Sequence, residues 1–103
     1  MVRLAGTTAI VLVAGHLSAS ADLSVGAQLA MQLCADCHAI KAGQVSPKSD
    51  APSFAKIANE PQMNIFALRP YLRTPHWTSS KLSLRPQDID ALAVYIMSLH
   101  GPQ

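Results

Sequence analysis

The stretch that most constrains this chain is Cys34-Ala35-Asp36-Cys37-His38. Its two cysteines and histidine fall at i, i+3 and i+4, positions that share one face of a helical turn. Cys-x-x-Cys-His is the attachment pattern of c-type haem. In that arrangement Cys34 and Cys37 bond two vinyl groups of one porphyrin, and His38 stands under the iron as proximal ligand. The other residues must then enclose a flat apolar disc and supply something to the iron's far side.

Two other uses of the cysteines fit less well. Structural zinc needs four ligands, and beyond Cys34 and Cys37 only dispersed histidines are on offer. A thioredoxin-like centre needs a βαβ context, and no strand pattern occurs in the chain.

The first 21 residues read as an address. Arg3 is followed by an apolar run from Leu4 to Gly15, then by Ala19-Ser20-Ala21. A basic start, a short apolar core and an A-x-A site make a secretory signal peptide. The run is too short to span a bilayer. The sequence therefore predicts residues 1–21 as a signal peptide and 22–103 as one exported domain, soluble in a bacterial periplasm. That compartment is oxidising, so a Cys34–Cys37 disulfide is a conceivable state before haem attachment. A domain this short has a marginal core of its own, and a covalent porphyrin would supply apolar mass. Loss of Arg3 takes one charge from eight Lys and Arg against six Asp and Glu. There is no basic stripe or aromatic platform, which excludes a nucleic-acid protein.

In order, Ser24 to Cys34 reads as a first helix with Ser24 as N-cap and Val25, Leu29 and Leu33 on one stripe. Glycine within a helix costs about 1 kcal/mol against alanine, so Gly26 predicts close approach by another helix. Met31 reads as a helix-surface or core filler. Residues 41–50 are rich in turn formers. A loop this long in a small domain wraps something or carries function. It closes at Ala51-Pro52-Ser53-Phe54. A ligating histidine gives its second ring N–H to an acceptor, and Pro52 C=O is the expected one for His38. A short helix follows through Ala58. Asn59-Glu60-Pro61 reads as the start of the next, with Ile65, Leu68 and Leu72 as its stripe and Pro70 kinking its last turn. Tyr71 and Arg73 either reach haem propionates or lie on the surface. The last helix starts near Pro86, with Asp88 and Asp90 in its first turns. It buries Ile89, Leu92, Ala93, Ile96 and Leu99, sets Tyr95 toward Gly26 and stops at Gly101-Pro102.

The order of Cys-x-x-Cys-His, wrapping loop, Ala-Pro-x-Phe, middle helix, Thr74-Pro75-His76 and a final Tyr95-Ile96-x-Ser98-Leu99 resembles a small monohaem class I cytochrome c over residues 22–100. The resemblance implies an all-α, cytochrome c-like fold of several short helices around one covalent haem c. It implies that the first and last helices cross near Gly26 and Tyr95, and that Pro52 orients the proximal histidine. One departure stands out. In relatives with this loop, a methionine followed by a proline supplies the sixth iron ligand; here Ser79 and Ser80 stand there, and Trp77 replaces a usual proline. The Met/His pair that raises the potential is therefore not carried over. His76 and an open or water-filled position are level as replacements. Behind them come Lys81, which must first lose a proton, and Met63, whose analogue in relatives begins the middle helix and points elsewhere. Met97 is expected in the core and His100 in solvent.

Two function classes remain. One is a non-enzymatic one-electron carrier between redox proteins such as a dehydrogenase, oxidase or reductase, with Lys41, Lys48, Lys56 and Lys81 available to steer an acidic partner. The other is a haem protein that binds NO, CO or peroxide at an open or His76-ligated distal site, or a haem subunit of a larger redox complex. A short chain with no exposed apolar helix is compatible with a monomer.

Overall fold

The computed structural model describes residues 2–12, 17–74 and 84–102, with side chains in the second stretch from Asp22 onward. His76, Trp77, Ser79, Ser80 and Lys81 lie outside the described residues. Four helices follow one another: α1 (Leu17–Leu33), α2 (Phe54–Asn59), α3 (Ile65–Arg73) and α4 (Pro86–Ser98). No strand occurs among the described residues, and the protein is all-α. α4 packs on all three other helices and most extensively on α1.

α1 begins earlier than the expected Ser24. Ser24 is an interior residue, not an N-cap, because no glycine or proline interrupts residues 17–25. The buried stripe also differs. Gly26 and Ala30 face inward and Leu29 and Leu33 are half-buried, whereas Val25 is exposed. The small residues lie inside because the crossing is tight. A methyl group built on Gly26 would sit 2.6 Å from Tyr95 Cβ and closer still to the Ala91 carbonyl oxygen. Gly26 and Tyr95 thus mark the crossing of α1 and α4, as expected.

α2 is capped by Ser53, whose hydroxyl accepts from Lys56 N–H at 3.1 Å. Asn59-Glu60-Pro61 does not open the next helix. Asn59 closes α2, and Glu60, before a proline, takes the extended backbone that position favours. A turn through Gln62 (φ 66°) follows, and Asn64 is the N-cap of α3, accepting from Ala67 N–H at 2.9 Å. α3 runs on past Pro70, whose carbonyl accepts the Thr74 N–H. Leu68 is buried and Ile65 and Leu72 half-buried, as the stripe predicted.

α4 has proline in its first turn. Ahead of it, Arg85 forks onto Asp88 at 2.8 and 2.9 Å, and the Arg85 backbone N–H also reaches that carboxylate at 3.3 Å. Ile89, Leu92, Ala93 and Ile96 are buried, with Leu99 and Met97 half-buried against them. Asn59 ties the far end: its side chain donates to the Gly101 carbonyl and accepts the Gly101 N–H.

Candidate cofactor site

The residues after α1 form a turn because His38 N–H and Cys37 N–H both return to the Cys34 carbonyl, at 2.9 and 3.1 Å. This winds Cys34, Cys37 and His38 onto one wall of a cavity of about 930 Å³. That size is near the top of the roughly 300–1,000 Å³ of cofactor sites. Phe54 and Ile57 of α2, Leu68 and Leu72 of α3, and Leu92 and Ile96 of α4 also line it. Polar groups are few, chiefly Lys48, Asp50, Tyr71 and Thr74. Largely apolar walls with a few polar side chains suit a porphyrin, whose ring is apolar and whose propionates are not.

The histidine is held in one tautomer. Its Nδ1 lies 2.6 Å from the Pro52 carbonyl oxygen. A carbonyl only accepts, so Nδ1 is the ring nitrogen that carries the proton toward Pro52. The neighbouring backbone is fixed as well. Ala39 N–H donates to Ser46 Oγ at 2.9 Å, and Phe54 N–H to the Ala39 carbonyl at 2.9 Å. The Phe54 ring packs against His38, with centroids 5.5 Å apart.

Cys34 and Cys37 are half-buried and are not joined to each other by a disulfide. Burial, and secondarily the nearby Cys37, push the Cys34 thiol up to about 11, so it is a neutral thiol near neutral pH. Among the described residues no group of three or more His, Cys, Asp or Glu is placed to hold a metal ion.

The family profile for Cytochrome c matches residues 23–100. The chain belongs to the cytochrome c family. It is also 34% identical over 99 residues to Cytochrome c-552 of Bradyrhizobium diazoefficiens, covering 94% of this chain and 95% of that protein. No solved structure matches it. As a cytochrome c it binds one covalent, iron-containing haem c and serves electron transfer, with Cys34 and Cys37 in place for attachment. No helix among the described residues is long and apolar enough to cross a membrane.

Within this cytochrome the structure brings Cys34, Cys37, His38 and Pro52 together on one cavity. His76, the expected distal candidate, is not among the described residues. Met63 corrects an expectation: it precedes the cap of α3 and lines the cavity instead of pointing elsewhere. Tyr71 does two things at once, lining the cavity while remaining 66% exposed. Arg73 is exposed and not on the wall, and His100 is exposed as expected. The sequence reading missed the Ser46 bond to Ala39 and a bond from Tyr95 O–H to the Ile40 carbonyl at 2.6 Å. Residues 7 and 55 positions apart carry no local signal of such a pairing.

Proposed function

We propose that this cytochrome carries single electrons between redox proteins, with His38 Nε2 as proximal iron ligand and the Pro52 carbonyl as its orienting partner. The observation that carries this reading is the 2.6 Å His38–Pro52 hydrogen bond on the cavity wall that both cysteines share. Bound haem c supplies a one-electron iron couple. The residues do the rest. Cys34 and Cys37 hold the porphyrin by thioether bonds. Pro52 fixes the imidazole tautomer and raises its basicity as a ligand. Leu68, Leu72, Leu92 and Ile96 keep water from the ring. The partners in view are a dehydrogenase on one side and an oxidase or reductase on the other. The test is His38→Ala. It should keep covalent haem but lose the native absorption spectrum, with added imidazole restoring it. A native spectrum in the variant would refute the assignment.

A second reading rests on Ser79 standing where relatives place the ligating methionine. Serine oxygen is a poor ligand for haem iron, so the distal position is open or taken by His76, with Lys81 and the cavity-lining Met63 behind them. An open site would bind NO, CO or peroxide, or serve in a larger redox complex. The oxidised protein should lack a methionine-to-iron charge-transfer band. Rapid CO binding to the reduced protein favours the open site. Slow binding that becomes rapid in His76→Ala favours His76.

Export to a periplasm belongs to the same proposal, supported by Arg3, the apolar run and Ala19-Ser20-Ala21. Cleavage after Ala21 would leave Asp22 at the head of the shortened α1, where the helix dipole favours a carboxylate. Mass spectrometry of the mature protein should find Asp22 as the first residue.

A further inference from the structure

The Tyr95 hydroxyl has a partner that helix packing does not require. It donates to the carbonyl of Ile40, two residues beyond His38, at 2.6 Å. Ile40 is itself buried. Burial pushes the phenol above its ordinary range, so it remains a protonated donor around neutral pH.

The surroundings give this bond a consequence. His38 and Pro52 belong to a closed circuit of contacts. The ring of His38 reaches Pro52, Phe54 N–H returns to the Ala39 carbonyl, and Ala39 follows His38 in the chain. Ser46 closes a second bond onto Ala39. All of these partners come from the wrapping loop and the start of α2. Tyr95 comes from α4 and touches the circuit at two places. Its hydroxyl holds Ile40, and its ring meets Phe54 edge-on at 6.4 Å. Phe54 in turn packs on the His38 ring. α4 also supplies Leu92 and Ile96 to the cavity wall. Tyr95 therefore ties the histidine circuit to the helix that forms another part of the cofactor's wall.

We propose that Tyr95 is a positioning residue for the proximal ligand: its hydroxyl, through the Ile40 carbonyl, keeps the His38–Pro52 hydrogen bond short and so holds the reduction potential down. This rests on His38 as proximal ligand. The physical link is that a strong bond at Nδ1 makes the imidazole a more basic ligand, and a more basic ligand favours the oxidised iron. Tyr95→Phe keeps the ring against Phe54 and removes only the donor. A role in packing alone would be served equally well by phenylalanine.

The test uses the intact haem-loaded protein. Tyr95→Phe should raise the midpoint potential and move the paramagnetically shifted ring-proton resonances of His38, with helical circular dichroism retained. A second series avoids any question of folding. In a Tyr71→Phe background Tyr95 is the one remaining tyrosine. Replacing it with 3-fluoro- and 3,5-difluorotyrosine makes the phenol a progressively stronger donor with little change of shape. The potential should fall stepwise, and the His38 resonances should move opposite to their direction in Tyr95→Phe. Strongly shifted His38 resonances and a potential that both ignore Tyr95 would overturn the positioning role while leaving the proximal assignment standing. His38 resonances without paramagnetic shift would overturn the proximal assignment and this inference with it.

Discussion

The cavity has two walls built in different ways. The wall around Cys34, Cys37 and His38 is held by a dense set of short bonds: Cys34 carbonyl to His38 N–H, Pro52 to His38, Ser46 and Phe54 to Ala39, and Tyr95 to Ile40. It is braced by the tight crossing of α1 and α4 at Gly26. The wall formed by α3 presents Leu68 and Leu72 to the cavity. Phe66 and the cavity-lining Tyr71 are largely exposed, and the wall's side-chain ion pair with α4, Arg69–Asp90, is open to water. A site made this way fixes one side of its cofactor by construction. Among the described residues the other side offers mainly apolar contact, the non-directional force in folding. Perturbations should therefore be severe near the cysteines and mild along α3.

The largest effect belongs to the attachment itself. Cys34→Ser with Cys37→Ser should abolish covalent haem completely, read as loss of haem stain on a denaturing gel. Retained stain would break the comparison at its root. The motif also marks how far the sequence could be read. Cys34 to His38 and the α4 stripe were legible because local spacing alone determines them. Pro52 was legible because a ligating histidine demands an acceptor. The start of α1 was not, since nothing local separates Ser24 from the helical residues before it. Pro61 misled for a related reason: proline suits a first helical turn, but it equally suits the turn that Gln62 completes in left-handed backbone. Asn64 was the true cap. The Tyr95 and Ser46 bonds were invisible because they join segments that only the fold brings together.

Next in size is Gly26. A valine there meets Ala91 backbone and Tyr95 Cβ, neither of which can swing away as a flexible side-chain tip would. Gly26→Val should cost at or above the top of the roughly 1–3 kcal/mol typical of overpacking. Chemical denaturation of the holoprotein measures this. The small helix-propensity gain over glycine does not offset it. A neutral result would mean that the crossing yields and that the first wall is softer than its bonds imply.

The Arg85–Asp88 pair should matter less and only in one pH window. The Arg85 hydrogen bond, ahead of opposing desolvation, holds the Asp88 carboxyl below its ordinary value. A carboxyl depressed on folding contributes stability above its unfolded pKa, and that contribution is lost as pH falls through the lower folded value. Asp88→Asn should thus be less stable than the parent at neutral pH, and the two should converge in strongly acid solution. Thermal melts across the acid range would show this. Parallel melting curves with a constant gap would assign the pair's effect to packing.

The smallest effect is expected at Arg69–Asp90, the ion pair between α3 and α4. Its N–O distance is 2.8 Å, but the two side chains are 33% and 52% exposed. Exposed pairs contribute about 0.2–1 kcal/mol and are screened by salt. Arg69 also lies over the Phe66 ring, 5.0 Å from its centroid. Arg69→Ala removes both contacts, so a cycle with Asp90→Ala is needed to isolate the ion pair. The coupling should be under about 1 kcal/mol and shrink in high salt. A coupling several times larger, insensitive to salt, would mean that α3 is fastened to α4 by a directed contact. The contrast between the two walls would then fail, because the far side of the cofactor would be as firmly built as the side that carries the cysteines.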